Sequence, residues 1–207
     1  MNILVLAPHT DDAEIGCGGS MNKWVHEGHK IRLVVFSACE DSIPAGFDMN
    51  VTRDEFYKNM GLLGIEGRIL DFPVRHFPEH RQRILDYLIR AKEEFKPDLV
   101  VGTSLNDLHQ DHKVVAEEMI RAFREVSSVI SYELPYSSLN FNHQLFVNLT
   151  VADLNMKAEL LENYKSQKEK YNSYFSKEYV FGLSKALGIK IKKSYVEGFE
   201  VVRWLTP

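Results

Sequence analysis

The sequence predicts an α/β fold, a Rossmann-like, mostly parallel sheet with helices on both faces, followed by a C-terminal extension of strand and helix. Three observations point there. Short aliphatic runs such as Ile3-Leu4-Val5-Leu6 and Leu99-Val100-Val101 read as strands buried on both faces. Segments of helical periodicity alternate with them, and Gly28, Gly64 and Pro97 stand where those segments should end. A β-α-β-α order with right-handed crossovers gives a parallel, doubly wound sheet.

The elements follow in order. Residues 2–7 form the first predicted strand, and a helix is expected over 13–27, closed by Gly28. The run Ile31-Arg32-Leu33-Val34-Val35-Phe36 centres a second strand over 30–39, and a loop with Pro44 and Gly46 comes after it. Residues 53–63 suit a helix that ends at Gly64, and 68–72 suit a strand. Over 82–95, Ile84, Leu85, Leu88 and Ile89 share one helix face, and Pro97 stops the helix. Residues 98–102 are a further buried strand and 114–124 a further helix. In the last third, 129–134 and 145–151 predict strands, 153–171 one long helix and 196–204 a final strand. Lys190-Ile191-Lys192-Lys193 reads as a basic strand edge.

Composition sets limits on partners and setting. A chain of 207 residues, 44% of them hydrophobic, fits a single domain over 1–207 with a sizeable core. The net charge is -4, and no dense Lys/Arg block interleaves with aromatics, which argues against a nucleic-acid groove. The opening apolar run has no basic segment before it and is broken by Pro8, so neither a signal peptide nor a membrane span is expected. Only Cys17 and Cys39 occur. They suggest no disulfide framework, and a reducing, cytoplasmic location is expected.

Two short clusters carry the chemistry, Pro8-His9-Thr10-Asp11-Asp12 and His109-Gln110-Asp111-His112. Each follows an aliphatic strand, at the end where open α/β sheets bind ligands. Together they read as a divalent metal site. If the chain turns into helix near Asp11, His9 and Asp12 can point the same way while Asp11 projects elsewhere; His109 and His112 have the same spacing. A catalytic zinc takes three protein ligands and leaves a position for water. One histidine, one aspartate and a histidine from the distant loop supply such a set, and Asp11 is then the natural base. Helix capping offers a competing account, with Asp11 and Glu14 as a capping box and Asp111 as an N-cap. Capping does not call for histidine in both loops.

On these residues the chain resembles the zinc-dependent N-deacetylases of the PIG-L or LmbE-like type. Their first motif has its counterpart in Pro8-His9-Thr10-Asp11-Asp12-Ala13-Glu14 and the stretch Gly16-Cys17-Gly18-Gly19, and their second, His-x-Asp-His, in residues 109–112. The likeness extends through Arg53-Asp54-Glu55, Phe146-Val147-Asn148-Leu149-Thr150 and Tyr164-Lys165-Ser166-Gln167. Thr10 replaces the usual proline, Ala13 separates Asp12 from Glu14 and leaves Glu14 a capping role, and Asn148 stands where aspartate is common.

The resemblance implies that His9, Asp12 and His112 bind one Zn2+ per chain, other divalent metals being possible. It further implies that Asp11 is the general base, that His109 stabilises the oxyanion or protonates the leaving amine, and that Asp111 orients a histidine. The implied reaction is hydrolytic removal of an N-acetyl group from an N-acetylglucosamine-type conjugate, with metal-activated water attacking the amide carbonyl. The implied partner is a small amino-sugar conjugate, and an oligomer is compatible with it. Arg53, Glu40 and Asp41 are available to bind substrate hydroxyls, although Arg53 could instead pair with Glu55 or Asp41.

Other residues have two readings each. His76 and His80 belong to a pocket rim or to a solvated loop, and His143, in a loop before a strand, either reaches the site or lies at the surface. Tyr164, Tyr171, Tyr174, Phe175 and Tyr179 either stack on sugar rings or pack a C-terminal helix. Three rival functions compete with the deacetylase reading, and one of them, a non-catalytic metal-binding or interaction protein, is opposed by Asp11, which chemistry needs and metal binding does not. A dinucleotide site at Gly16-Cys17-Gly18-Gly19 lacks its third glycine, because Met21 stands there, and Asp11 and Asp12 would repel a pyrophosphate. A phosphoesterase would hold two metal ions about 4 Å apart among the same ligands.

Overall fold

The computed structural model describes residues 1–125 and 127–206. Seven strands make one sheet: β1 (Asn2–Ala7), β2 (Lys30–Val35), β3 (Glu66–Ile69), β4 (Leu99–Thr103), β5 (Ser128–Tyr132), β6 (Leu145–Asn148) and β7 (Val196–Arg203). Their order is β3-β2-β1-β4-β5-β7-β6. The first five are parallel, and β7 and β6 join antiparallel at one edge. The order reverses between β1 and β4, whose C-terminal ends flank the crevice where such sheets bind ligands.

The helices are α1 (Asp12–His26), α2 (Val51–Leu63), α3 (Arg81–Phe95), α4 (Gln110–Phe123), α5 (Val151–Asn163), the single turn α6 (Lys165–Lys168) and α7 (Lys177–Ile189). Alternation along β1 sorts them into two layers. Ile3, Val5 and Ala7 face a core shared with Met21 of α1, Phe56 of α2 and Leu161 of α5. Leu4 and Leu6 face the other core, with Leu88 of α3 and Met119 of α4. Helix α1 kinks at Cys17, whose backbone leaves the helical region. At that break Glu197 of β7 accepts hydrogen bonds from the amides of Gly19 (3.1 Å) and Ser20 (2.7 Å), and Lys157 of α5 pairs with it at 2.6 Å. Gly18 and Gly19 are small because the side chains of Lys157, Leu149 and Glu197 press against them. The glycine-rich stretch therefore packs under the protein's own side chains, which is why it offers no dinucleotide cradle.

Several features depart from the sequence reading. Helix α4 starts at Gln110 because the His109 ring caps it, Nδ1 accepting from the Asp111 amide at 3.2 Å, so Asp111 lies inside the helix. The acidic pair at α1 is no capping box: Asp11 makes no side-chain cap bond, and Glu14 is buried. The expected helix over 153–171 ends at Tyr164, which leaves helical geometry. Helix α7 has no counterpart in the sequence reading, since Ser184 and Gly188 interrupt its buried stripe of Val180 and Leu187. The basic run 190–193 lies in the turn that follows α7, not on a strand edge.

Candidate functional site

The two clusters meet across the β1–β4 reversal. His9 ends the turn out of β1, Asp12 opens α1, and His112 stands in the first turn of α4. Three donor atoms form a near-equilateral triangle: His9 Nδ1 to Asp12 Oδ2 is 3.2 Å, His9 Nδ1 to His112 Nε2 is 3.2 Å, and His112 Nε2 to Asp12 Oδ2 is 3.4 Å. Donors bound to zinc at about 2.0–2.1 Å with tetrahedral angles stand roughly 3.3–3.4 Å apart, so the triangle has the right edge for that ion. His109 stands close by, a ring nitrogen of His9, of His109 and of His112 lying within 4.8 Å of one another.

Hydrogen bonding at the far side of each ring assigns the tautomers. His112 Nδ1 lies 3.0 Å from Asp107 Oδ2, and His9 Nε2 lies 3.1 Å from Asp111 Oδ2. Each carboxylate accepts from the ring N–H it faces, so the other two nitrogens, His112 Nε2 and His9 Nδ1, present lone pairs to each other and to Asp12. A cation, or a shared proton, relieves that repulsion. Without a metal the proton takes the place: burial opposes it, yet Asp111 and Asp12 hold His9 well above the ordinary imidazole value. The same imidazoles overcome burial and hold Asp12 well below the usual carboxylate range.

The supporting carboxylates are themselves fixed. Asp107 accepts from Ser137 Oγ at 2.8 Å and from the His109 amide at 2.8 Å. Asp111 accepts from the amides of Arg75 (2.6 Å) and Phe77 (3.3 Å). The second oxygen of Asp12 accepts from Tyr136 at 2.9 Å. Asp107, Tyr136 and Ser137 escape the sequence reading. A carboxylate two residues before His109 is a signal for Asp107, whereas nothing in the 134–140 loop marks the other two.

Asp11 is half-buried and lines the cleft, where its carboxylate has no side-chain hydrogen bond among the described residues. Burial and the neighbouring Asp12 raise it to about 7. Burial and the imidazoles His112 and His9 push His109 down to about 4. The His109 ring is therefore neutral near pH 7, and since Nδ1 accepts from the Asp111 amide, Nε2 carries the proton. Behind the site, burial raises Glu14 to about 8; the Tyr164 hydroxyl lies 2.7 Å from its carboxyl and also meets the Thr10 carbonyl.

The cleft over the triangle measures about 520 Å³. One wall is a stack of tyrosines, Tyr136 on Tyr174 with centroids 4.8 Å apart and Tyr174 on Tyr171 at 5.7 Å. Gln110, Gln167, Lys170 and Ser42 add polar groups. Of the aromatic residues singled out in the sequence, Tyr171 and Tyr174 reach the cleft, while Tyr164 and Phe175 are fully buried. Arg53, Glu40 and Asp41 line a separate depression of about 190 Å³ that shares Cys39 and Val74 with the cleft. There Arg53 pairs with Glu40 and with Asp71, both at 2.7 Å, rather than with Glu55 or Asp41. His76 is exposed and pairs with Glu79, His80 packs beside Phe72, and His143 pairs with Glu133 away from the cleft. Cys17 is buried at the helix kink, and Cys39, raised to about 11 by burial, is a neutral thiol at the cleft edge. Among the described residues no helix is long and apolar enough to cross a membrane.

Residues 4–123 match the family described as PIG-L, GlcNAc-PI de-N-acetylase. An uncharacterized deacetylase, YaiS of Escherichia coli K12, is 28% identical over 175 residues, covering 79% of this chain and 90% of that protein. Among solved structures, the conserved protein TT1542 from Thermus thermophilus superposes with a TM-score of 0.80 at 20% identity, covering 99% of this chain and 96% of that one. The N,N'-diacetylchitobiose deacetylase from Pyrococcus horikoshii gives 0.80 at 18% identity, with coverages of 97% and 83%. The 4-carboxy-2-hydroxymuconate hydratase GalB of Pseudomonas putida KT2440 gives 0.81 at 17% identity, with coverages of 100% and 98%. At these identities the structural likenesses speak for the fold.

Proposed function

We propose that this chain, a deacetylase that belongs to the PIG-L family, uses one divalent metal ion, zinc, to remove the N-acetyl group from an N-acetylglucosamine-type sugar conjugate. The observation that carries the metal reading is the triangle of His9, Asp12 and His112, with two ring lone pairs and a carboxylate oxygen converging at 3.2–3.4 Å. These three residues would hold the ion. An ion held there supplies Lewis-acid polarisation and lowers the pKa of water.

The rest falls to the chain's own side chains. Asp11 is the general base: its carboxylate faces the cleft without a competing side-chain partner, and its proton affinity lies near neutrality before the ion's charge lowers it. His109, a neutral ring that lines the cleft, has the Nε2 proton with which to donate to the amide oxygen as negative charge grows there. The proton taken by Asp11 is then available to the leaving nitrogen, which needs one to depart as an amine. Asp107 and Asp111 hold the two rings in the tautomers that metal binding requires. Tyr171, the exposed end of the tyrosine stack, offers a face on which a sugar ring can stack. Residues 1–207 act as one domain in this reading, and the substrate is a small molecule in solution.

Metal analysis of the purified protein together with acetate release from a panel of N-acetylglucosamine conjugates tests the proposal. One zinc per chain with acetate release supports it. Two ions per chain, or zinc with no acetate from any conjugate, would sink it. GalB shows that the same fold accompanies a hydratase, so water addition to an unsaturated acid belongs in the same panel as the competing outcome.

A further inference from the structure

Five arginines of the chain, Arg32, Arg53, Arg81, Arg121 and Arg124, each pair with a carboxylate. Arg68, Arg83 and Arg90 have no carboxylate within salt-bridge distance among the described residues, and all three line one depression of about 470 Å³ beside the edge strand β3. Two carboxylates share its lining, and both are engaged. Asp71 holds Arg53 at 2.7 Å, and Asp86 accepts from Gln82 at 2.7 Å. Two of the guanidiniums rest on aromatic faces, Arg68 over Tyr87 at 5.5 Å and Arg83 over Phe72 at 5.4 Å from the ring centres. Stacking of this kind orients the planar fork before any ligand arrives, which lowers the ordering cost of binding an anion.

We propose that this depression is a phosphate-binding site, suited to a phosphate ester or diphosphate held by Arg68, Arg83 and Arg90. Guanidinium forks match phosphate oxygens in pairs, and three unpaired cations at one concavity suit more charge than a single carboxylate carries. The site lies apart from the His9–Asp12–His112 triangle and does not depend on the chemistry assigned there. It adjoins the Arg53 depression through Leu70, Asp71 and Phe72, and that depression adjoins the cleft through Cys39 and Val74. The phosphate can accordingly belong to the far end of an extended substrate or to a separate ligand.

Calorimetric titration of the full-length protein with inorganic pyrophosphate at low ionic strength tests the site. Saturable binding is expected, weakened about tenfold or more by combined Arg83→Ala and Arg90→Ala, the equivalent of one lost charge-assisted hydrogen bond. Arg124→Ala, on a surface arginine elsewhere, should leave it unchanged. No saturable binding, or binding that survives the double substitution, would overturn the proposal; pyrophosphate held only by a metal ion would give the latter. A diphosphate-linked N-acetyl sugar then separates the two sources. Loss of affinity on both Tyr171→Ala and the arginine substitutions places the phosphate on the substrate, and loss on the arginine substitutions alone places it on a separate ligand.

Discussion

Asp107 Oδ2 lies 3.0 Å from Nδ1 of His112, and this contact decides which nitrogen of the ring faces Asp12 and His9. The carboxylate is buried, with Ser137 fixing the same oxygen. Replacing Asp107 by Ala frees the ring to rotate or change tautomer. Zinc affinity, measured by competition with a chelator, should fall about 10–100-fold, the usual cost of losing such a support. An unchanged affinity would mean that packing alone holds the ring.

Asp11→Asn separates binding from chemistry. The substituted side chain keeps its place in the cleft and takes nothing from the His9–Asp12–His112 triangle, so zinc content should match that of the parent protein. Turnover should drop by about 10²–10⁴, the range for loss of a general base. His112→Ala should lose metal and activity together.

The bond set around Glu197 is a stability element far from the cleft. Lys157→Met leaves a buried carboxylate with only two amide donors, and the cost should reach about 3–5 kcal/mol in urea unfolding at pH 7. Pairing it with Glu197→Leu should recover part of that loss. If the single substitution cost less than about 1 kcal/mol, the pair would be behaving as an exposed one.

Helix α5 opens with a reciprocal cap: the Thr150 hydroxyl accepts from the Asp153 amide, and Asp153 accepts from the Thr150 amide at 2.8 Å and from Asn22 at 2.8 Å. Burial works against the charge, but these donors hold Asp153 below the ordinary carboxylate value. Its stabilisation is therefore complete above the unfolded value of about 3.9 and is lost as pH falls through the lower folded value. Asp153→Asn should lower the urea midpoint at pH 7 and make progressively less difference as the pH drops below about 4. A difference that persisted undiminished in acid would exclude a charge effect.

The buried strands and the two histidine loops are legible in the sequence because strand burial leaves aliphatic runs, and helix capping does not by itself call for histidine after both strands. What escapes depends on distant partners. Glu14 sits where a capping carboxylate would, yet Tyr164 and Asn59 draw it inward from elements far along the chain. His109 opens α4 with a ring nitrogen, an uncommon cap that periodicity cannot show. Asp107 gains its meaning only when Ser137 and His112 close on it. The sequence leaves Arg53 between substrate and a pairing with Glu55 or Asp41; Asp71, one of its two actual partners, follows a strand whose pairing with β2 only the folded sheet reveals.

The residues of the triangle and their carboxylate supports stand in the turns that leave two adjacent central strands and on the first turns of α1 and α4, whereas the tyrosine wall comes from the 134–140 loop and the short turns after α5. In the proposed reaction, the chemistry sits at the sheet's switch point and selectivity on the segments outside it. Tyr136 donates to Asp12 and Ser137 to Asp107, so the 134–140 loop is tied to the triangle, whereas exchanges around Tyr171 and Tyr174 can re-aim the enzyme at another substrate and leave those bonds in place. For directed evolution, the segment around Tyr171 and Tyr174 is where library diversity belongs.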